Sequence, residues 1–227
     1  MRNFLTAVCL CAALFSCKRG AERPAALPGP QPEVAAEVLD TVFSSEPLPE
    51  AVVNRIMGVS YPENGAQVAL DELRYLRLSY VGYDGDVRTG EMICNRLVAD
   101  DLTDIFRKLY LAGYQIERME LVDVFGADDE TSMRANNTSC FNDRNVKGQT
   151  TVSRHAFGMA VDVNPLQNPQ VRTREVLPSA AVSYADRSRD FPHKISKEDL
   201  CYKLFRSHGF HWGGSWMRSK DYQHFYK

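Results

Sequence analysis

Leu76-Arg-Leu-Ser-Tyr-Val-Gly-Tyr-Asp84-Gly85-Asp86-Val87-Arg-Thr-Gly-Glu-Met-Ile-Cys-Asn95 reads as two strands, Leu76–Asp84 and Val87–Asn95, joined in a hairpin at Gly85. An amphipathic helix follows over Ala99–Leu111. Its apolar residues Leu102, Ile105, Phe106 and Leu109 recur at i, i+3, i+4 and i+7, and Gly113 supplies the stop. Farther on, Ile116–Phe125 reads as a strand and Asp128–Gln149 as a long, polar, ordered loop. Met159–Asn164 reads as a short strand, and Glu198–His208 as a helix closed by Gly209. Helices and strands alternate without a strict βα rhythm. The expected fold is therefore a single α+β domain with an antiparallel sheet and flanking helices.

Composition narrows the class without naming a function. The 44 % hydrophobic and 25 % charged content is that of a globular chain. Lys+Arg 27 against Asp+Glu 29, with no run of five like charges, gives no basic stripe, so nucleic acid is not an expected partner. At 227 residues the chain is long enough to bury a core without staples.

The N-terminus reads as an address. Arg2 precedes an apolar run from Phe4 to Phe15, which is too short for a spanning helix of roughly 20 residues and has the length of a secretory h-region. Leu14-Phe15-Ser16-Cys17 resembles a bacterial lipobox, which implies a signal peptide over residues 1–16 and lipidation of Cys17. The expected location is the cell envelope, as an exported bacterial lipoprotein anchored to a membrane. Six of the 11 prolines fall between Pro24 and Pro49, so residues 17–50 read as a tether and the folded domain as 51–227. Cys94, Cys140 and Cys201 would then be the remaining thiols. Export permits one disulfide among them, and their spacing contains no CxxC metal motif.

Two short segments concentrate the chemistry. In Ser153-Arg-His155-Ala-Phe-Gly158-Met-Ala160-Val-Asp162 a turn histidine precedes a strand whose alternation turns Asp162 away from Met159, Val161 and Val163. The second segment is Trp212-Gly213-Gly214-Ser215-Trp216, followed by Asp221-Tyr-Gln-His224-Phe225. Two His and one Asp suit zinc and leave a fourth position for water, and Asp221 lies three residues from His224, where it can take a proton from that water. Taken singly, His155 reads equally as a satisfied structural histidine and Asp162 as a capping carboxylate. The two tryptophans read equally as site walls or core. His193, His208 and His211 read as surface, packing or helix-end residues.

Together these motifs resemble the VanY-like D-alanyl-D-alanine carboxypeptidases, whose wider family includes VanX dipeptidases and phage L-alanyl-D-glutamate endopeptidases. The pattern is Ser-x-His-x-x-Gly-x-Ala-x-Asp at 153–162 with Asp-x-x-His at 221–224. The likeness extends to Ser132–Arg144, to Asn164-Pro165 and Asn168-Pro169, and to Gly209–Trp216, spanning Leu121 to Lys227. It implies the hedgehog/D,D-peptidase zinc fold and one zinc ion held by His155, Asp162 and His224. It further implies Asp221 as acid/base, Ser153 as a substrate contact, and an arginine facing the oxyanion. Arg144 is the first candidate for that arginine and Arg134 the second. Peptidoglycan stem peptides are the implied substrate. A carboxypeptidase is favoured, with an endopeptidase, a dipeptidase or a non-catalytic zinc-containing wall-binding lipoprotein as alternatives.

Overall fold

The hairpin is the centre of the computed structural model, which describes residues 41–227. In chain order the elements are β1 (Phe43–Pro47), α1 (Glu50–Ile56), β2 (Leu73–Val81), β3 (Val87–Asn95), α2 (Ala99–Leu111) and α3 (Asp129–Arg134). They continue with β4 (Ala160–Asp162), β5 (Gln170–Val171), β6 (Val176–Leu177), α4 (Leu200–Ser207), β7 (His211–Trp212), β8 (Lys220–Asp221) and β9 (His224–Tyr226). Three antiparallel sheets result, ordered β1-β2-β3, β4-β9-β7 and β6-β5-β8. The fold is α+β. No helix among the described residues is long and apolar enough to cross a membrane.

Period-2 alternation along β2 divides the core. Leu76, Leu78 and Tyr80 join Met92 and Cys94 of β3 under the α2 stripe of Leu102, Ile105, Phe106 and Leu109. Leu73, Tyr75 and Ile93 face the other way, onto Val52 and Ile56 of α1 and onto Leu121 and Phe141. The sheet is thus covered on both faces. Helix α4 completes the first core, with Phe106 and Phe205 edge to face at 6.2 Å. It begins two residues later than its sequence pattern suggests because the Asp199 side chain caps it, accepting from the Cys201 N–H at 2.8 Å.

Two expectations are corrected. Ordered structure starts before residue 51, because β1 lies inside the stretch read as a tether. Pro47 ends that strand on the sheet edge, where a missing N–H costs no ladder bond, and Pro49 opens α1. Phe43 packs on Tyr110 with ring centres 5.6 Å apart, which anchors the strand to α2. The signal segment, Cys17 and the proline-rich residues up to 40 lie outside the described residues. Cys94, Cys140 and Cys201, whose pairing the sequence left open, are all free and buried, and burial pushes their thiols up.

The second correction concerns Ile116–Phe125, which is not a strand. Its backbone makes only isolated bonds to β2 and β3, Ile116 N–H to the Val81 carbonyl at 2.8 Å and Glu91 N–H to the Met119 carbonyl at 3.1 Å, and asparagine side chains take groups in between. Asn164 accepts from the Glu117 N–H at 3.2 Å and donates to the Gln115 carbonyl at 3.0 Å. Asn137 likewise accepts from the Glu120 N–H at 2.8 Å and donates to its carbonyl at 3.0 Å. A primary amide offers the same donor and acceptor pair as a peptide unit, so the buried backbone is satisfied without a ladder. Val122–Phe125 then coils into a 3-10 turn. The following polar loop also contains α3, capped by the Asp128 side chain accepting from Thr131 N–H at 2.8 Å.

Asn137→Ala should therefore cost about 1–3 kcal/mol in denaturant unfolding, because it strips both partners from Glu120. The exposed control Val124→Ser should stay within about 0.5 kcal/mol of wild type.

Candidate metal centre

The site grows from one register. Strands β4 and β9 pair antiparallel with Asp162 opposite His224 and Val161 opposite Phe225. Alternation sends Val161 and Phe225 into the core, where Phe225 stacks on Phe205 at 4.3 Å. The same alternation turns Asp162 and His224 together toward a cavity, with His224 Nδ1 2.9 Å from Asp162 Oδ1.

His155 arrives from a 3-10 turn, Arg154–Phe157, just before β4. Ser153 caps that turn, its Oγ accepting from the His155 N–H at 3.2 Å. Gly158 closes it at φ +65°, and a Cβ there would sit 2.5 Å from the Asn95 nitrogen. Only glycine lets the turn dock on the end of β3. On the ring, Nδ1 lies 2.5 Å from the Cys140 carbonyl, which fixes it as the donor and leaves a lone pair on Nε2. That Nε2 is 3.2 Å from His224 Nδ1 and 3.3 Å from Asp162 Oδ2.

The three side chains offer ligand atoms that all lie within 4.8 Å of one another. Four-coordinate geometry with bonds of 2.0–2.1 Å sets neighbouring ligands about 3.3 Å apart, close to the separations seen. Nitrogen, nitrogen and carboxylate oxygen in this spacing fit a divalent metal. Burial would raise the Asp162 carboxyl, but the adjoining His155 and His224 outweigh it and hold it well below the usual carboxylate range.

Asp221 meets this group from the third sheet. It is buried, its Oδ2 accepts from Gln170 Nε2 at 2.9 Å, and its Oδ1 has no partner. Burial pushes its carboxyl up to about 7; His224 opposes that rise and Asp162 adds to it. Gly213 passes directly beneath, where a Cβ would come within 2.7 Å of the Asp221 carbonyl and 3.3 Å of His224 Cβ.

All four side chains line a cavity of about 480 Å³. A cavity of about 530 Å³ beside Gly113, His193 and Asp199 holds none of them. Convergent donors, rather than size, mark the smaller one as the site.

The other expected residues divide. Ser153 lines the cavity, and its hydroxyl is engaged in positioning His155. Arg144 lines the cavity with its guanidinium paired to Asp129. Arg134 does not fit its expected place: it is exposed at the end of α3 and is not among the lining residues. Trp212 is core, donating to the Tyr222 carbonyl at 2.9 Å, whereas Trp216 is a wall, 5.5 Å from the His224 ring. The remaining histidines stay outside the site: His208 meets Asp104 at 2.8 Å, His193 stacks on Tyr83 at 3.7 Å, and His211 is exposed. Sequence reading missed Gln170, Arg172 and Tyr226. Their only signal was proximity to Asn168-Pro169 and to His224.

Residues 147–227 match the family model described as D-alanyl-D-alanine carboxypeptidase. The chain's resemblance to the VanY-like family is shown over that segment. That segment holds His155, Asp162, Asp221 and His224. Arg134 and Arg144 lie upstream of the matched residues. No curated protein and no solved structure matches the chain.

His155→Ala, Asp162→Ala and His224→Ala should each lower bound divalent metal from about one ion per chain to a small fraction of that, measured by elemental analysis. A chelator should lower the wild-type melting temperature, since a ligand held at 100 Kd contributes about 2.7 kcal/mol. It should leave the three variants unmoved.

Proposed function

We propose that this protein is a zinc D-alanyl-D-alanine carboxypeptidase acting on peptidoglycan stem peptides, exported and held to a membrane through lipid on Cys17. The observation that carries the reading is the convergence of His155, Asp162 and His224 with Asp221 in one cavity, within the segment matched to the peptidase family. The lipobox-like segment and proline-rich stretch support the location, since peptidoglycan lies outside the cytoplasmic membrane.

His155, Asp162 and His224 would hold the ion. Zinc, when bound, would supply Lewis-acid activation of water and of the scissile carbonyl. The chain's own residues account for the rest. Two carboxylates share the cavity with opposite environments, a division of the kind that separates a fixed anion from a proton carrier. Asp162 stays ionised between two histidines. Asp221, with its carboxyl near 7 and an unpaired Oδ1, is suited to accept a proton from attacking water and return it to the leaving amine. The Cys140 carbonyl keeps the His155 ring in one tautomer throughout.

Trp216 and Tyr226, joined by a 3.1 Å hydrogen bond, wall one side. Arg144 lies on the cavity wall, paired with Asp129, where a guanidinium fork matches a terminal carboxylate or a developing oxyanion.

The full-length protein and Asp221→Ala should both carry zinc. Only the wild type should release D-Ala from a pentapeptide ending in D-Ala-D-Ala, with the variant down about 10²–10⁴-fold in kcat. Hydrolysis of free D-Ala-D-Ala dipeptide instead would make it a dipeptidase. Cleavage of muropeptides between L-Ala and D-Glu would make it an endopeptidase, and zinc without cleavage a wall-binding protein.

A further inference from the structure

We propose that Gln170 and Arg172 are positioning residues, a hydrogen-bonded chain that aims the Asp221 carboxylate into the cavity. The inference rests on the reading of Asp221 as the proton carrier. In the β5–β8 pair Gln170 stands opposite Asp221, so their side chains share a face. Gln170 Nε2 donates to Asp221 Oδ2 at 2.9 Å, and Gln170 Oε1 accepts from Arg172 Nε at 2.9 Å. Arg172 is itself held, with Nη1 donating to Glu175 Oε2 at 3.1 Å and its backbone N–H to the Glu175 carbonyl at 2.8 Å.

This arrangement removes the ambiguity of an amide. Rotated by half a turn, Gln170 would set its NH₂ against a guanidinium that can only donate. Its oxygen would then face a carboxylate that, when ionised, can only accept. Arg172 therefore dictates that Asp221 meets a donor. The guanidinium does not contact the carboxylate, because a neutral amide is interposed, although its charge favours the ionised carboxyl through space. The consequence is asymmetry at Asp221, with Oδ2 fixed and Oδ1 without any protein partner. All three side chains line the cavity.

The test uses the full-length protein with four variants: Gln170→Leu, Arg172→Met, Arg172→Lys and the Gln170→Leu/Arg172→Met double. Gln170→Leu should lower kcat for D-Ala release by about 10–100-fold, the scale of a slightly misplaced catalytic group, with KM and bound zinc unchanged. Arg172→Met should lower kcat by about tenfold, and Arg172→Lys, which keeps a donor for Gln170 Oε1, should recover most of that. Because the two residues act in series, the double variant should be no worse than Gln170→Leu alone, within about twofold. Crystal structures of the metal-free proteins should show the Asp221 side chain turned or split between rotamers in Gln170→Leu.

Wild-type kcat in Gln170→Leu, or losses that multiply in the double variant, would overturn the proposal. An inactive wild type would remove the substrate assignment, and the crystal structures would then decide alone. A displaced Asp221 sustains the positioning role, and an unmoved Asp221 ends it.

Discussion

The pairing of β4 with β9 is the constraint on which the site depends. Only a few residues pair, yet their register places Asp162 opposite His224, and a slip of β9 by one residue would turn His224 into the core. What prevents the slip is the opposite face. Val161 and Phe225 are fully buried, and burying a phenylalanine is worth about 1.5–3 kcal/mol, so the hydrophobic face holds the polar face in place. The ligand pair is thus positioned by core packing rather than by its own interactions, which in the absence of a cation bring two ring nitrogens and a carboxylate into close quarters.

Around that pair, each further group is brought in by a different device. A glycine-closed 3-10 turn carries His155 against the end of β3, and the Cys140 carbonyl orients its ring. A separate small sheet delivers Asp221, beneath which Gly213 leaves just enough room. The two carboxylates consequently differ in neighbours: Asp162 lies against two histidines, whereas Asp221 meets an amide on one oxygen and nothing on the other. Burial alone raises both; the neighbours decide which one stays low.

The surrounding loops are ordered mainly by amides. Asn137 and Asn164 bond the backbone at Gln115, Glu117 and Glu120. Asn168 binds the backbone on both sides of residue 194, donating to the His193 carbonyl at 3.0 Å and accepting from the Ile195 N–H at 2.7 Å. Asn136 accepts from the Leu166 N–H at 2.8 Å. These buried side chains let long connections pack beside the cavity without strands of their own, which is why so much of the C-terminal half is irregular and still well satisfied.

The sequence by itself determined the parts governed by short-range rules. The α2 stripe, the hairpin with Val87–Asn95 and the α+β class are all legible there, while His155, Asp162, Asp221 and His224 were named by the family resemblance. Periodicity and turn chemistry act over a few residues, and so they appear in a single chain. Tertiary structure alone decided that Phe43–Pro47 joins the sheet and that Ile116–Phe125 does not. It alone set Arg144 in the cavity wall and left Arg134 exposed, divided Trp212 from Trp216, and set Gln170 against Asp221. The pairings of Glu120 with Asn137 and of Gln170 with Asp221 span 17 and 51 residues. A side-chain amide that substitutes for a strand, or orients a distant carboxylate, leaves no period in the sequence, because its effect exists only once the chain has closed around it.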